Sequence, residues 1–471
     1  MNKYIYIICF FVFTFSVKAQ EKTLQLSLDE AIAFALENSY NAKAAKNDIK
    51  SANEKVWETT AIGLPQINAA VDYQNFLKQP VSLLPAAAFD NTSSTVSTVE
   101  DYFDLQANRE PTAPGGFIPV VFGTPQNMNA TVTLTQLLFD GSYLVGLQAS
   151  KTFLKITTQA EEKTELLTRE AVVNAYGNVL VTQSSISILE SNIKILQKNY
   201  DDAKKIYENG LNEEEDVEQL EITLGNLKNQ LKSVQRMEEI AYQMLNLALG
   251  SSINTTLILT DNLESLATEN IQLGLISEPF NVNNHIDFRI AENNREGSLL
   301  NVKLEKSKYL PTLSAFVNYG TQAFSDSFSF FDGDQRWFES SLLGVSLNVP
   351  IFSSFSRKSK VSQAKLELET ADIRLEETKQ RLSLQAQKAQ NDYQFSIENY
   401  QTAKKNVGLA ERIEKKQRIK FFEGISSSFD LLQAQNQLYS QQQSYIQSML
   451  DVISTKAALE NALNLPINPT K

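Results

Sequence analysis

The sequence predicts a mainly α-helical protein with a transmembrane β-barrel portion, built as a duplicated unit of short strands and long helices. Three observations carry this reading. The chain repeats one plan twice, four short runs alternate apolar and polar residues, and two helical tracts are far too long for an ordinary globular core.

The elements can be justified in order. Met1, Asn2 and Lys3 precede an apolar run from Ile5 to Val17, which ends in Val17-Lys18-Ala19-Gln20. A basic start, a short apolar core and a small closing residue are expected of a secretory signal at 1–19, cleaved after Ala19. The run of 13 residues falls short of the roughly 20 that a bilayer-spanning helix requires. The only cysteine, Cys9, lies inside this segment. A mature chain without cysteine has no disulfide, no thiol nucleophile and no cysteine-held metal.

The duplication organises the rest. A first repeat is expected at 20–249, a connecting segment at 250–284, a second repeat at 285–466 and a tail at 467–471. Leu64-Pro65 and Leu310-Pro311 open alternating runs 246 positions apart. Gly210-Leu211 matches Gly424-Ile425, and Asp216 matches Asp430, both at an offset of 214. Each repeat reads helix, strand, loop, strand, very long helix, tight turn, helix.

Four strands are expected, at 65–76, 128–139, 311–323 and 341–352. Met128, Ala130, Val132 and Leu134 share one face of the second, opposite Asn129, Thr131, Thr133 and Thr135. Leu343, Val345, Leu347 and Val349 alternate with Gly344, Ser346 and Asn348 in the fourth. Period two with a polar second face suits a membrane-barrel strand, and equally a half-buried strand of a soluble sandwich. The loop 77–127, with Pro80, Pro85, Pro111, Pro114, Pro119 and Pro125, reads as a long irregular extracellular connection. The loop 324–340 holds Phe324, Phe328, Phe330, Phe331, Trp337 and Phe338, candidates for an interfacial girdle or for simple packing.

The helices favour the membrane barrel over the sandwich. Nothing breaks the helical pattern from Gly141 to Asn209, a span of roughly 100 Å. Ile186, Leu189, Ile193, Leu196, Tyr200, Ala203 and Tyr207 recur at steps of three and four, as do Val217, Leu220, Leu224, Leu227, Leu231 and Val234. Val361, Ala364, Leu368, Ala371 and Leu375 begin the counterpart in the second copy. Such heptad seams mean helices lying side by side. Four strands cannot close a barrel, and open edges in lipid leave backbone groups unsatisfied. The strands therefore require partner subunits and outer-membrane lipid.

Composition excludes several classes. A formal charge of −12 lacks the clustered basic residues of a nucleic-acid binder. His285 is the only histidine, which removes a histidine zinc site, and its place before a helix reads as a cap or a surface residue. No phosphate-binding glycine loop appears. The chain is not expected to be an enzyme or to hold a cofactor or metal. A secreted periplasmic coiled-coil scaffold or adhesion protein without a pore is the alternative. It leaves unexplained why alternating runs interrupt the helices at the same place in both copies.

Taken together the residues resemble the TolC-like outer-membrane efflux proteins over essentially the whole mature length. The resemblance rests on Leu28-Asp29-Glu30-Ala31-Ile32 through Asn38-Ser39, the two Leu-Pro openings, and Gln136-Leu137-Leu138-Phe139-Asp140-Gly141 with its partner Val349-Pro350-Ile351-Phe352. Gly210 with Asp216, and Gly424 with Asp430 and Leu431, complete it. It implies a homotrimer in which each protomer gives four strands to one twelve-stranded barrel, continuing into a periplasmic α-helical barrel. It also implies a periplasmic adaptor (membrane fusion) protein and an inner-membrane pump as partners.

For the site, the resemblance implies adaptor contact at the tips Gly210, Leu211, Gly424 and Ile425, and a periplasmic aperture at Asp430 and Asp216. Gln433 stands where a second aspartate often occurs, and Ser426 where a basic lock residue can occur. The first turn is instead acidic, with Glu213, Glu214 and Glu215 beside Asp216. Carboxylates gathered by symmetry repel or bind cations, although acids also favour a helix start.

Overall fold

A computed structural model describes residues 24–89, 92–104, 116–210 and 213–466. The expected signal at 1–19, Leu211 and the tail at 467–471 lie outside them. The chain begins with β1 (Leu24–Leu26), α1 (Leu28–Asn38) and α2 (Tyr40–Ala61). Next come β2 (Gln66–Asn75), β3 (Val81–Pro85), α3 (Thr92–Phe103), β4 (Phe117–Val121) and β5 (Gln126–Phe139). A first helical hairpin, α4 (Gly141–Glu208) and α5 (Glu214–Leu249), leads to β6 (Leu257–Leu259) and α6 (Leu263–Glu269). Then follow α7 (Ile286–Ser307), β7 (Thr312–Ser325), β8 (Trp337–Asn348) and a second hairpin, α8 (Ser356–Phe422) and α9 (Ser428–Ala462).

The chain divides into two compact units. The sheet unit holds residues 56–148 and 303–362, and the helical unit holds the remainder. Each draws on both copies, so the compact bodies cut across the duplication.

In the sheet unit, one antiparallel sheet runs β2-β5-β7-β8. The copies join where β5 pairs with β7, Leu134 opposite Val317. Register sorts the faces. Ile67, Leu134, Val317 and Leu343 form one cross-strand row, and Ala69, Val132, Tyr319 and Ser341 the next. Asn68, Thr133, Asn318 and Leu342 form a row on the opposite face, where the Asn318 amide donates to Thr133 Oγ1 at 2.8 Å. The apolar face is bare: Ile67 is 69% exposed, Val71 68% and Leu343 75%. A sheet that exposes its hydrophobic face and its two outer strands is suited to lipid and to further strands.

Three expectations are corrected here. The fourth strand lies at 337–348 rather than 341–352, because Pro350 has no N–H for a ladder and Trp337 already pairs with Ala323. The segment 77–127 is not irregular in its described part. Past Asn75 and Gln126 the β2–β5 hairpin resumes as a β3–β4 ribbon, Val81 opposite Val121, with α3 in the connection. Of the aromatic loop, Phe324, Trp337 and Phe338 belong to strands. Phe328 and Phe330 pack edge-on against Tyr73, and Phe330 covers Met128 and Ala323.

In the helical unit the main core gathers α1, α4, α5, α6, α8 and α9 around the parallel pair β1–β6. Two fully buried tyrosines fasten it. Tyr176 donates to Asp261 Oδ2 at 2.8 Å, and the same oxygen accepts from Leu28 N at 2.7 Å. Tyr393 donates to Asn270 O at 2.6 Å. His285 is buried, not on the surface, and acts as a cap: its Nδ1 accepts from Asp287 N at 3.1 Å. Among the described residues no helix is long and apolar enough to cross a membrane.

Candidate functional site

The expected site residues lie at the tips of the two hairpins. The seam of the first hairpin is mainly apolar, with Leu196 and Leu220 fully buried and Leu189, Ala203, Val217, Leu224 and Leu227 close behind, but α4 also buries Asn192 and Asn199, and Asn199 Nδ2 finds no partner. Tyr207, at the end of the expected seam, is exposed. α4 ends at Asn209 and Gly210, where Gly210 takes φ +72° and donates to Tyr207 O at 2.7 Å. The left-handed conformation is what glycine permits at a helix C-terminus. Glu213 is the N-cap of α5 but makes no side-chain cap bond. Glu213, Glu214 and Glu215 face solvent, while Asp216 is half-buried.

The second tip is held more tightly. Gly424 has φ +68°, and Ile425 N reaches back to Lys420 O at 2.8 Å, the six-to-one bond of a Schellman turn. Ser427 then caps α9 in a capping box with Asp430. Asp430 Oδ2 accepts from Ser427 Oγ at 2.9 Å and from Ser427 N at 3.3 Å. The carboxylate expected at the aperture is therefore already a structural group, and its S-x-x-D spacing is a sequence signature of that role. Gln433 and Ile425 are exposed, and Ser426 Oγ is buried without a partner.

The structure brings the two tips together. Ser428 Oγ donates to Gln219 Oε1 at 3.1 Å across 209 residues. Phe421 and Leu431 enter the apolar cluster of the first hairpin.

Sequence reasoning missed what fills the second hairpin. Beside apolar contacts of Ile397 with the Ile446, Met449 and Ile453 side of the core, its helices meet through polar pairs: Ser396 with Thr455 at 2.8 Å, and Tyr400 stacked on Tyr445. Nearer the tip, the seam positions after Ala403 and Ala410 are Glu414 and Gln417. Glu414 is 6% exposed, with Arg418 at 3.7 Å. Burial holds its carboxyl above the ordinary range, against the pull of Arg418. Gln435 of α9 lies fully buried against Glu414, yet neither of its amide atoms finds a partner of good geometry. Burial and the Glu414 charge also raise the Tyr439 phenol. An acid at a heptad seam position was the available signal. Among the described residues no cluster has the arrangement of a metal site.

Comparison with known proteins gives the context. Residues 120–251 and 282–465 match the family described as outer membrane efflux protein. A probable efflux pump outer membrane protein, TtgC of Pseudomonas putida, is 24% identical over 323 residues, covering 67% of this chain and 64% of the relative. The chain thus matches somewhat less than two thirds of that relative's length. Among solved structures, VceC of Vibrio cholerae aligns with a TM-score of 0.66 at 16% identity, over 93% of this chain and 95% of that one. CusC aligns with a TM-score of 0.70 at 16% identity, over 96% and 95%. These structural likenesses show the fold alone, mostly helical with a β portion. With the family match over most of its length, the chain belongs to the outer membrane efflux protein family, the TolC-like channels its sequence resembles.

Proposed function

We propose that this protein is the exit duct of a tripartite efflux system, passing substrates from an inner-membrane pump and a periplasmic adaptor to the exterior without altering them. It is an outer-membrane protein extending into the periplasm. In this reading three copies each contribute β2, β5, β7 and β8 to a closed twelve-stranded barrel, and the hairpins α4–α5 and α8–α9 continue as a helical tunnel. Residues 250–284 form part of a belt around its middle.

One observation carries the reading: a four-stranded sheet with one exposed apolar face, a more polar opposite face and two outer strands that, among the described residues, pair on one side only. In lipid only closure satisfies those edges, and the polar face then lines water. Gly210, Leu211, Gly424 and Ile425 form the adaptor-contact tips. Asp216, Asp430 and Gln433, with Glu213, Glu214 and Glu215, border the aperture. Opening belongs to the second hairpin, where Glu414 and Gln435 are buried just behind the tip.

Planar-bilayer conductance tests this. The extracted protein should form discrete water-filled channels, and Asp430→Asn should raise conductance and lower cation preference. Ser427→Ala disturbs the same cap without removing a charge, so it separates the cap from the aperture. Absence of channels would contradict the duct. A Ser427→Ala effect equal to that of Asp430→Asn would remove the aperture role.

A further inference from the structure

All four strands of the main sheet meet their helices at one end, where Gln66 opens β2, Phe139 closes β5, Thr312 opens β7 and Asn348 closes β8. Each of these junctions leaves large apolar side chains in the open. Trp57 and Ile62 precede β2, Leu144 follows β5, Tyr309 precedes β7, and Ile351 and Phe352, 91% and 73% exposed, follow β8. A contact between two copies would gather at the outer strands β2 and β8. A band at all four junctions fits an apolar medium that surrounds the sheet, and Trp and Tyr favour the boundary of such a medium with water. The turn after β8 is also strained. Ser354 and Phe355 take φ +48° and +63°, a conformation that a bulky side chain rarely adopts, and Phe355 meets Phe352 edge-on with centroids 5.9 Å apart.

Charge is divided unevenly along the same sheet. Beside these junctions stand six cations, Lys303, Lys306, Lys308, Arg357, Lys358 and Lys360, against three acids, Glu58, Asp140 and Glu305. Asp140 caps α4, its Oδ1 accepting from Ser142 N at 2.6 Å. Glu305 pairs with Lys308, and Glu58 has a partner of its own. The other five cations have no ion pair among the described residues. At the opposite end the described parts of 76–125 and 326–336 hold two cations, Lys78 and Arg336, against six acids. In a chain of formal charge −12, composition does not account for a cationic end. Arg357 is its fixed member. Its Nη1 donates to Pro350 O at 3.1 Å and its Cζ lies 5.9 Å from the centroid of the Tyr309 ring. That contact orients the guanidinium and leaves most of its N–H donors without a partner among the described residues.

We propose that this end of the sheet binds anionic phospholipid. The proposal rests on the barrel reading, which puts these junctions at the leaflet facing the periplasm. The apolar band lies where lipid tails meet head groups, and the unpaired cations take the head-group phosphates. Arg357 offers one phosphate paired donors in a fixed orientation, and Lys306, Lys358 and Lys360 add point charges around it. The barrel thereby carries a collar of anionic lipid on the side from which its helices leave.

Native mass spectrometry of the full-length complex, extracted and stripped of lipid, tests this with dioleoyl phosphatidylglycerol and dioleoyl phosphatidylcholine. The phosphatidylglycerol should bind about fivefold more tightly, the scale of one basic residue at an anionic surface. Lys306→Gln, Arg357→Gln, Lys358→Gln and Lys360→Gln combined in one chain should abolish that preference and leave phosphatidylcholine binding unchanged. Lys358→Gln with Lys360→Gln, both exposed, should lower the preference about twofold, and this pair carries the test if the quadruple variant fails to fold. Lys78→Gln with Arg336→Gln, at the opposite end, should leave it intact. Glycerophosphoglycerol, the same head group without tails, should not compete at equal concentration. Equal binding of the two lipids, a preference that survives the cation variants or is lost with the opposite pair, or displacement by the tail-less head group would overturn the proposal in a complex that still assembles in the membrane. A chain that never enters the membrane would remove the barrel reading, and the proposal with it.

Discussion

The hairpin of α4 and α5 closes mainly on leucine, with Asn192 and Asn199 also buried, whereas that of α8 and α9 sets a buried acid, Glu414, and a buried amide, Gln435, among Phe421, Leu431 and Leu438 near its tip. Their tips reverse the contrast. The first has an N-cap, Glu213, with no side-chain bond, and the second has a complete capping box. One ancestral plan has thus been tuned in opposite senses. The first hairpin is mainly apolar along its length and lacks a side-chain cap at its turn. The second is firm at its turn and weak in the seam just behind it. A body of that kind can swing as a unit while keeping its end intact.

The contrast can be broken by measurement, beginning with the largest effect. Leu220→Ala removes a fully buried seam leucine and should lower the apparent unfolding free energy by about 3 kcal/mol, read from denaturant titration of the extracted protein. Gln435→Met, of similar shape, removes two buried amide atoms without partners. It should raise stability by about 1–2 kcal/mol in the same titration and also lower channel opening. A loss of stability would mean that the polar seam is not weak. Ser427→Ala should cost about 1 kcal/mol, seen as faster hydrogen exchange in the first turn of α9, while Glu213→Ala should leave α5 unchanged.

The smallest effect is a pH dependence confined to the second hairpin. Burial raises the Glu414 carboxyl, so the packed seam binds a proton more readily than an unfolded chain does. Stability then falls as pH rises. The extra stability is complete below the ordinary carboxylate range and is lost as pH climbs through the raised value. Protection from hydrogen exchange around 410–421, measured relative to the intrinsic rate at each pH, should therefore fall as pH rises from mildly acidic to neutral, and Glu414→Gln should flatten the trend. A matching trend in the first hairpin would assign it to something other than Glu414.

Much of the fold was legible because its signals are periodic. The alternation of 128–135 placed Val132 and Thr133 on opposite faces, and the sheet keeps them there. The heptad from Leu189 to Leu227 packs as spaced. The alternation at 343–349 did not reveal where its strand stops, because Val349 and Ile351 continue the pattern past Pro350, where hydrogen bonding ends. The ribbon within 77–127 was hidden by its prolines, although Val81 to Pro85 and Phe117 to Val121 pair regularly. At the site, the glycine turns were readable from their repetition. Asp430 drew attention as a charge when its nearest partner, three residues back, makes it a cap.

The most direct test of the central claim is the native mass of the protein extracted from isolated outer membranes. A complex of three chains that leaves the membrane only with detergent is the predicted result. A monomer or dimer released by salt or buffer would contradict the shared barrel, because the two open edges of the β2-β5-β7-β8 sheet would then have no partners.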